Sequence, residues 1–581
     1  MLKRSILCGW LGWCGVLAHA DDTILSQTTH PLDPQIQRFM AHQQSTSSFQ
    51  PTGLTRSNYL AIVYHQVRAL QQHVRSDGDL IDPVDKKNQF APPCYAHSVA
   101  TLVASGYTKD LGLLESGMKA MDFSVQSLQK GSKAFKDGHP DFYIYPVMLA
   151  FEQFEKCVPS ERLEQWRIML RKIDPKTTYA TYGKQHNNWS FVHTAGEYLR
   201  SLRGFTNQTY VAHLLAIQRF HMTSEGLYLE HGAPFAYDAF SRYFLTGMLQ
   251  RGYQDDFYRD ACWKGAWTSL LVQSPFGEMP TGYRSAQHVW NEAELATVYE
   301  IYAAAYAKAG KKAEAGAFKR GAHLALASIS QWIRPDGSGY IVKNRFPVEV
   351  RHGYEAYSVH ANYNLLACSM LCAAWLYADD SIAEMPAPAD VGGAILKIPA
   401  FNMVVAHAGG TYLQYMTCGN KIYNPTGIIR VHLRDGHPQL GYSDGRFNDS
   451  SLCTNQVEVL QETFEQIVFK AGDETLTINR EGVTIDSPST NQVAFPMLVF
   501  NGREKTDVQI TNNIVNLMLE GKGVQVEILR PSAACWKRSG ETVKHHNGDI
   551  ERVTATTEQK GVTVVIRALR PSPRTSLTPC P

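Results

Sequence analysis

The stretch PAPADVGG at residues 386–393 decides how this chain is organised, because the hydrophobic pattern changes there. Between about residue 59 and residue 380, apolar-striped segments alternate with short Gly, Pro or Asp breaks, which is the helical pattern. Beyond residue 393, apolar residues alternate or form short β-branched runs, which is typical of strands. The sequence therefore predicts a helical part over residues 21–385, a linker over 386–393 and an all-β part over 394–581. A length of 581 residues suits two large domains.

The helical part contains many amphipathic segments in succession, with no convincing strand between them. Each segment would bury one apolar stripe against a neighbour. Such a succession fits either a helical solenoid or a closed ring of helix pairs. The lack of a sequence motif repeated at fixed spacing weakens the solenoid. The clearest predicted helices cover residues 58–73, 95–105, 111–129, 143–157, 293–309, 313–332 and 361–377.

The β part contains many short runs with the strand pattern. The run TLTINREGVTI at residues 475–485 places two of them around Arg480 and Gly482, which predicts a hairpin. Many short strands in one block favour a packed antiparallel sandwich. The other predicted strands cover residues 401–406, 411–415, 427–433, 463–470, 493–500, 508–519, 524–529 and 562–568.

The first twenty residues have the features of a secretory leader. Lys3 and Arg4 form the basic start, an apolar run covers residues 6–17, and the small-x-small sequence AHA at 18–20 is a cleavage site. We therefore expect the mature chain to begin near Asp21 and to be secreted or periplasmic. Cys8 and Cys14 lie within the leader, but neither ends a run of small residues, so a lipid anchor is the weaker alternative.

The composition argues against two classes of partner. The chain has 56 Lys and Arg against 54 Asp and Glu, a formal net charge of +2. Nucleic-acid binders usually carry a basic excess in a patch or stripe, so no nucleic-acid partner is expected. No stretch approaches the ~20 uninterrupted apolar residues of a membrane helix, so no membrane span is expected. The sequence gives no indication of oligomeric state.

The cysteines and histidines show none of the common zinc signatures. Neither a CxxC pair nor an HExxH motif occurs. Cys368 and Cys372 lie four residues apart on an apolar helical stretch, and we interpret them as buried thiols rather than as a bridge or metal pair. No organic cofactor is implied, and assistance by a divalent metal ion stays open.

Four segments combine polar, aromatic and titratable residues more densely than a helix core does. Most lie beside a loop signal, and in a ring of helices such positions can gather at one end. Aromatic surfaces stack on sugars, while amide, imidazole and guanidinium groups bind hydroxyls and carboxylates. The mixture suits a glycan-binding cleft. The segments are HNNWSFVH (186–193), EHGAPFAYD (230–238), GYRSAQHVWNE (282–292) and RHGYEAYSVH (351–360).

Three of these motifs also carry a family resemblance. The order of NNW at 187–189, GLYLEHGAPFAY at 226–237 and GYRS at 282–285, followed by a β part, resembles the α/α-toroid plus β-sandwich polysaccharide lyases. That group includes chondroitin, hyaluronan, alginate and heparin lyases and relatives acting on rhamnose-glucuronate linkages. The resemblance implies a toroid of helix pairs, then an antiparallel β-sandwich, and β-elimination next to a uronate carboxylate in a polysaccharide or oligosaccharide.

The resemblance implies a role for several residues. An enzyme of this kind neutralises the uronate carboxylate, removes the C5 proton and protonates the departing oxygen at C4. Asn188, or its neighbour Asn187, matches the carboxylate neutraliser, and His231 matches the base or orienting group. Tyr237 is then the predicted proton donor, and a candidate for both acid and base. Arg284 would bind substrate or assist the neutraliser.

Each assignment has an alternative that stays open. The family's tyrosine follows its histidine at a longer spacing, so Tyr243 remains a rival to Tyr237. Asn187 and Asn188 are also suited to capping a helix that begins at Trp189, although a cap needs only one of them. Arg284 could instead pair with Glu278 or Glu292 as a structural ion pair, and His231 could be a buried loop histidine bonded to backbone.

Weaker candidates for substrate binding come from the same segments. The aromatic side chain in NNW, Trp189, would stack on a sugar. His288 and Glu292 are four residues apart and would share a face if that segment is helical, where they could bind a metal or each other. The remaining candidates are His352, Tyr354 and His360.

Two other functions are consistent with these residues. A glycoside hydrolase on the same scaffold needs a proton-donating carboxyl and a second carboxylate, which Glu230, Asp238, Glu292 and Glu355 could supply. A non-catalytic glycan-binding protein would leave the polymer intact. The clustering of titratable groups with aromatics favours an enzyme over that alternative.

Overall fold

The computed structural model describes residues 24–43, 49–135, 139–181, 187–442, 453–454 and 456–569. The predicted leader therefore lies outside the described residues. The helices are α1 (Asp33–Gln43), α2 (Arg56–Leu70), α3 (Ala91–Ala104), α4 (Leu111–Lys130), α5 (Ile144–Phe154), α6 (Ser160–Arg171), α7 (Pro175–Thr178), α8 (Asn188–Leu202), α9 (Thr209–Gln218), α10 (Phe235–Gln250), α11 (Asp256–Val272), α12 (Trp290–Lys308), α13 (Lys312–Ser330), α14 (His360–Tyr377) and α15 (Pro388–Val391).

Six helices form a closed inner ring. In ring order they are α3, α5, α8, α10, α12 and α14; each packs on the next, and α14 returns to α3. Helices α2, α4, α9, α11 and α13 pack on the outside of this ring. Inner helices such as α12 and α14 are buried on nearly every side because they contact both their ring neighbours and the outer layer. The structure therefore confirms the helix-pair ring rather than the solenoid.

A repeated turn connects the outer helices to the inner ones. Each copy contains two backbone hydrogen bonds of 2.7–3.1 Å. The glycine N–H donates to the carbonyl of the residue three positions before it. The N–H of that earlier residue donates to the carbonyl of the residue that follows the glycine. Each glycine has a positive φ of 78–87° and lies against the next outer helix around the ring, so the turn links neighbouring pairs. The four glycines are Gly78, Gly226, Gly277 and Gly337.

We expect Gly277→Ala to destabilise the protein by roughly 3 kcal/mol or more. A Cβ there would lie 2.0 Å from the Leu324 carbonyl oxygen of α13, so backbone must move, and φ is +79°. Gly310→Ala is the matched control, because its φ is +75° but nothing lies within 4 Å of its added Cβ. That variant should be destabilised only by the cost of holding a residue with a Cβ in the left-handed conformation, about 1–2 kcal/mol. Equal losses in chemical denaturation would contradict the proposed close packing at Gly277.

The strands follow the last ring helix and are all paired antiparallel. They form a four-stranded sheet β1–β4, an eight-stranded sheet in the order β10-β11-β12-β15-β8-β7-β6-β5, and a three-stranded sheet β13-β14-β9. The strands are β1 (Ala394–Ile398), β2 (Met403–Ala408), β3 (Thr411–Met416), β4 (Gly427–His432), β5 (Val457–Glu462), β6 (Gln466–Ala471), β7 (Glu474–Asn479), β8 (Gly482–Ser487), β9 (Gln492–Phe500), β10 (Asp507–Thr511), β11 (Ile514–Leu519), β12 (Lys522–Arg530), β13 (Lys537–His545), β14 (Gly548–Thr556) and β15 (Val562–Leu569).

The four-stranded sheet joins the two halves of the molecule. Alternate residues such as Val405 and Met416 belong to the core of the helical ring, whereas Val404 and Tyr415 belong to the core of the β part. Both faces are therefore covered, which explains why every residue of β2 and β3 is buried. The eight-stranded sheet packs on its outer face, giving the predicted sandwich.

The predicted strand over residues 508–519 is wrong, and the predicted hairpin at 475–485 is confirmed. Residues 475–485 lie in β7 and β8, which pair around Arg480. The single predicted strand is instead the hairpin of β10 and β11, because Asn512 adopts a positive φ of 49° and reverses the chain. Asparagine tolerates that conformation well, so the pair Asn512 and Asn513 was the sequence signal for a turn.

The described cysteines include one disulfide, between Cys418 and Cys453. Cys368 and Cys372 are free and buried, as predicted. Within the described ranges, no group of three or more His, Cys, Asp or Glu side chains is placed to hold a metal ion. The helices that the structure describes also include none that is long and apolar enough to cross a membrane.

Candidate active site

A cavity of about 380 Å³ opens at one end of the helical ring. All six inner helices begin beside it: Asn188 and Trp290 are the first residues of α8 and α12, and Tyr237 and Tyr363 lie in the first turns of α10 and α14. Phe90 and Phe142 lie just before α3 and α5. The lining residues are Gln89, Phe90, His139, Phe142, Asn187, Asn188, Trp189, Glu230, Tyr237, Phe240, Arg284, Trp290, Tyr357, Tyr363 and Leu366.

The two asparagines of the first motif have different structural positions. Asn187 caps α8, because its side-chain oxygen accepts hydrogen bonds from the backbone N–H of Ser190 at 3.0 Å and from the Ser190 hydroxyl at 3.1 Å. Asn188 is buried and donates both its backbone N–H and its Nδ2 to Glu230 Oε2, at 2.9 and 2.8 Å. Its Oδ1 has no hydrogen-bond partner among the described residues. The cap therefore needs one asparagine and leaves the other to the cavity wall.

Arg284 links two of the predicted segments. Its guanidinium donates to Glu230 Oε1 and, at 3.0 Å, to the backbone carbonyl of His231. Its Cζ lies 5.0 Å from the centre of the Tyr237 ring. Glu230 thus binds Asn188 with one oxygen and Arg284 with the other, so an amide and a guanidinium are fixed on the same wall. Arg284 does form an ion pair, but with Glu230 rather than with Glu278 or Glu292, and that pair lies in the cavity.

Tyr237 belongs to a chain of three hydroxyl groups. The Ser285 hydroxyl donates to the Tyr237 oxygen at 2.9 Å and lies 2.6 Å from the Tyr357 hydroxyl. Since a serine has one hydroxyl hydrogen, Tyr357 donates to Ser285 and Ser285 to Tyr237. The hydrogen of Tyr237 is then left for an acceptor. Burial, followed by the nearby Tyr363, raises the pKa of Tyr237 well above its usual range, so its resting form is the neutral phenol.

Glu355 contacts the backbone of Ser285, the middle residue of these three hydroxyl groups. Its Oε1 accepts the backbone N–H of Ser285 at 2.7 Å, and its Oε2 has no hydrogen-bond partner in the described part of the chain. Burial raises the pKa of Glu355 to about 7, against the opposing effects of the Ser285 amide and Arg284. This carboxyl therefore titrates near neutral pH.

We expect the titration of Glu355 to make stability fall as pH rises from about 4.5 to about 7. Over that window the folded state holds a proton that the unfolded state has lost, because the folded pKa is raised from 4.5 to about 7. Glu355→Gln cannot ionise and escapes this loss. The free energy of unfolding of the variant minus that of the parent should therefore rise between pH 5 and pH 8, by up to roughly 3 kcal/mol. A difference that does not vary with pH would contradict a raised pKa.

Seven of the predicted residues lie outside this cavity lining: His231, Tyr243, His288, Glu292, His352, Tyr354 and His360. His231 has an exposed side chain, and its backbone carbonyl, not its imidazole, reaches Arg284. Tyr243 is buried deeper in the ring against Tyr145, with 6.0 Å between the ring centres. His288 and Glu292 do not share a helix face, because α12 begins at Trp290.

The side chains of His288 and Glu292 make structural contacts instead. His288 Nε2 lies 3.1 Å from the Ser358 hydroxyl. Glu292 Oε1 accepts from Lys343 Nζ at 2.8 Å and from the Met279 N–H at 3.0 Å. Both side chains are buried and are held by these contacts with other parts of the protein.

The three candidate residues of the fourth predicted segment also make contacts away from the main cavity. His352 stacks on Phe346 at 3.7 Å, near the β part. The Tyr354 hydroxyl lies 2.9 Å from His360 Nδ1, and His360 lines a different cavity of about 200 Å³. Of the predicted binding residues, Asn187 and Trp189 do line the main cavity.

Several lining residues were not predicted. Phe90, His139, Phe142 and Tyr363 lie outside the four dense segments that the sequence singled out. Their shared feature is a position at or just before the start of an inner helix, which sequence periodicity can indicate only once the ring is known. Trp290 was within a predicted segment, and its buried Nε1 lacks a hydrogen-bond partner among the described residues.

The fold defines the molecule as an α/α toroid of helix pairs followed by an antiparallel β part. No family model and no curated protein matches the chain. Among solved structures, one described as heparinase III superposes with a TM-score of 0.49 and 10% identity, over 93% of this chain and 90% of that chain. The heparan sulfate lyase HepC from Pedobacter heparinus gives a TM-score of 0.41 and 9% identity, over 92% and 88%.

A family 88 glycosyl hydrolase from Bacteroides vulgatus gives a TM-score of 0.37 and 12% identity, over 56% of this chain and 99% of that chain. These likenesses leave the reaction to be inferred from the cavity itself.

Proposed function

We propose that this chain is a lyase that cleaves a uronate-containing polysaccharide or oligosaccharide by β-elimination. The observation that carries the proposal is the convergence of Tyr237, Asn188 and Arg284 on one cavity wall. A phenol that can give up a proton therefore lies beside the two donor groups suited to a carboxylate.

The surroundings of the cavity favour an anionic sugar. Six helices begin at the cavity, and each helix N-terminus carries a partial positive charge that favours anions. Arg284 adds a full positive charge, which Glu230 partly balances. The aromatic walls, including Trp189 and Trp290, provide flat surfaces for a sugar ring. The buried Trp290 Nε1 and Asn188 Oδ1 offer a donor and an acceptor to its hydroxyl groups.

In this proposal Tyr237 acts as the general acid. A base removes the C5 proton, the C4–C5 double bond forms, the C4–O bond breaks, and the departing oxygen takes the Tyr237 proton. The hydrogen bond from Ser285 stabilises the phenolate that is left. Among the described residues that line the cavity, the imidazole belongs to His139, which makes His139 the candidate base in place of His231. Asn188 and Arg284 stabilise the charge that develops on the uronate carboxylate.

An absorbance assay tests the reaction. The protein is incubated with glucuronate, galacturonate, mannuronate and iduronate polymers, and both the ultraviolet absorbance of an unsaturated uronate and the number of new reducing ends are followed. Elimination produces the two signals together. Reducing ends without the absorbance would replace the lyase by a hydrolase, and binding without either signal would leave only a glycan-binding protein.

A glycoside hydrolase is the second candidate, and the raised pKa of Glu355 is the observation that favours it. A carboxyl that is protonated near neutral pH suits a general acid, and Glu230 could supply the second carboxylate. Asp238 and Glu292 are occupied by buried contacts with Arg242 and Lys343. Glu355 is not among the described residues that line the cavity, which is why we favour Tyr237.

We also propose that the chain is exported through the leader at residues 1–20. Export would bring the cavity into contact with extracellular or periplasmic polymers. Amino-terminal sequencing of the protein recovered outside the cytoplasm tests this, and a mature chain beginning near Asp21 is the expected result.

A further inference from the structure

The segment that carries Arg284 and Ser285 has an unusual backbone. Tyr283, Ser285 and Gln287 all have positive φ, at 60–61°, although none of them is glycine. This left-handed conformation is disfavoured for residues with a Cβ, and it persists only where surrounding contacts determine it. The contacts around Tyr283 therefore decide whether Arg284 and Ser285 point correctly.

The β part provides contacts on two alternate residues of this segment. Gln414 of β3 binds both backbone groups of Thr281: its Oε1 accepts the N–H at 2.9 Å and its Nε2 donates to the carbonyl. The Asn424 side-chain oxygen accepts the Tyr283 N–H at 2.9 Å. Asn424 lies in the loop that joins β3 to β4, residues 417–426, which we call the β3–β4 loop.

The Tyr283 side chain is held by the same part of the molecule. Its hydroxyl donates to the Cys418 carbonyl at 3.0 Å and accepts from Asn402 Nδ2 at 2.9 Å. Cys418 belongs to the β3–β4 loop and forms the disulfide with Cys453. Next to it, the Thr454 N–H donates to the Thr417 carbonyl. The disulfide therefore anchors the loop to the segment before β5, at the residue whose carbonyl receives the Tyr283 hydroxyl.

We infer that the β3–β4 loop, anchored by the disulfide to the segment before β5, positions Arg284 and Ser285 in the cavity through Tyr283, so that the β part completes the catalytic centre. Asn424 and Tyr283 are positioning residues, because they touch the segment but do not line the cavity. On the helical side, Glu355 and Asn291 bind the N–H and carbonyl of Ser285. The β3–β4 loop supplies the opposing support. The inference rests on the proposed function only in taking the cavity as the active site.

Substitution of Asn424 tests this in two independent ways. Asn424→Ala removes the acceptor for the Tyr283 N–H, whereas Asn424→Asp retains one. We expect the alanine variant to lower kcat at least tenfold with a smaller change in KM, and the aspartate variant to stay within a few-fold of the parent. Asn513→Ala is the control, since it removes another side-chain amide of the β part that bonds to backbone, here by donating to the Ile528 carbonyl, and Asn513 is not among the described residues that line the cavity.

Hydrogen exchange measured by mass spectrometry supplies the readout that needs no substrate. Peptides covering residues 279–290 should exchange faster in Asn424→Ala and in the Cys418→Ser, Cys453→Ser double variant than in the parent or in Asn513→Ala. Unchanged exchange in both variants would overturn the inference. If no glycan is cleaved by the parent but exchange rises as expected, the proposed function fails while the positioning role of the loop stands.

Discussion

Replacing Tyr237 by phenylalanine is expected to lower kcat by a factor of about 10²–10⁴, the usual contribution of a positioned acid or base. The substitution keeps the ring that packs 5.0 Å from the Arg284 guanidinium carbon and removes only the hydroxyl. Ser285 then loses its acceptor, and the departing oxygen loses its proton donor. Because the ring contacts remain, KM should change far less than kcat. The initial rate of unsaturated-uronate absorbance on the best polymer of the panel measures the effect.

Tyr243→Phe is the matched control for this prediction. Tyr243 is also a buried phenol of α10, and burial also raises its pKa, but it lies deeper in the ring beside Tyr145. Its loss should leave kcat within a few-fold of the parent. A result in which Tyr243→Phe is inactive and Tyr237→Phe is active would reverse the assignment and favour the tyrosine at the longer spacing.

The architecture was largely predictable because it depends on periodicity. The change from helical stripes to alternating runs at residues 386–393 is a local property of the sequence, and the last ring helix and first strand lie on either side of it. Periodicity alone left ring closure as one of two alternatives, and the resemblance to the α/α-toroid lyases was what predicted the ring. The repeated turn that closes the ring depends on a single glycine each time, and its copies, at Gly78, Gly226, Gly277 and Gly337, are unevenly spaced. A search for fixed spacing therefore misses it.

The candidate site was predictable where chemistry is concentrated in one short segment. The segments that carry Asn188, Tyr237 and Arg284 were found because polar, aromatic and titratable residues are dense there, and the resemblance to the α/α-toroid lyases then singled out these three residues. His139 was missed because it lies outside those dense segments. His231 was predicted as a site residue, and its segment does reach the cavity. Its imidazole is exposed, however, and only its backbone carbonyl contacts Arg284. Segment position can be read from a sequence, whereas side-chain direction depends on how neighbouring helices begin.

Replacing Arg284 by lysine is expected to lower kcat/KM roughly 10- to 100-fold, since a hydrogen bond to a charged group contributes about 1.5–3 kcal/mol. The guanidinium uses its planar fork to bind Glu230 and the His231 carbonyl at once while stacking on Tyr237. A lysine ammonium is a point charge and cannot reproduce all three contacts. Glu230 would then be less completely balanced and would repel an incoming uronate carboxylate. Steady-state kinetics on the cleaved polymer measure the loss.

Arg219→Lys is the control for replacing a guanidinium by an ammonium outside the cavity. Arg219 pairs with Asp255 at 2.6 Å, and its guanidinium carbon lies 4.9 Å from the centre of the Phe257 ring, so it has the same kinds of contact outside the cavity. Its replacement should leave kcat/KM nearly unchanged. A second substrate separates charge recognition from general damage: a polymer with its uronate carboxyls reduced to alcohols should bind the parent and Arg284→Lys with similar affinity. If Arg284→Lys instead weakens binding of the acidic and the reduced polymer equally, Arg284 does not face the carboxylate, and the neutralising role must move to Asn188.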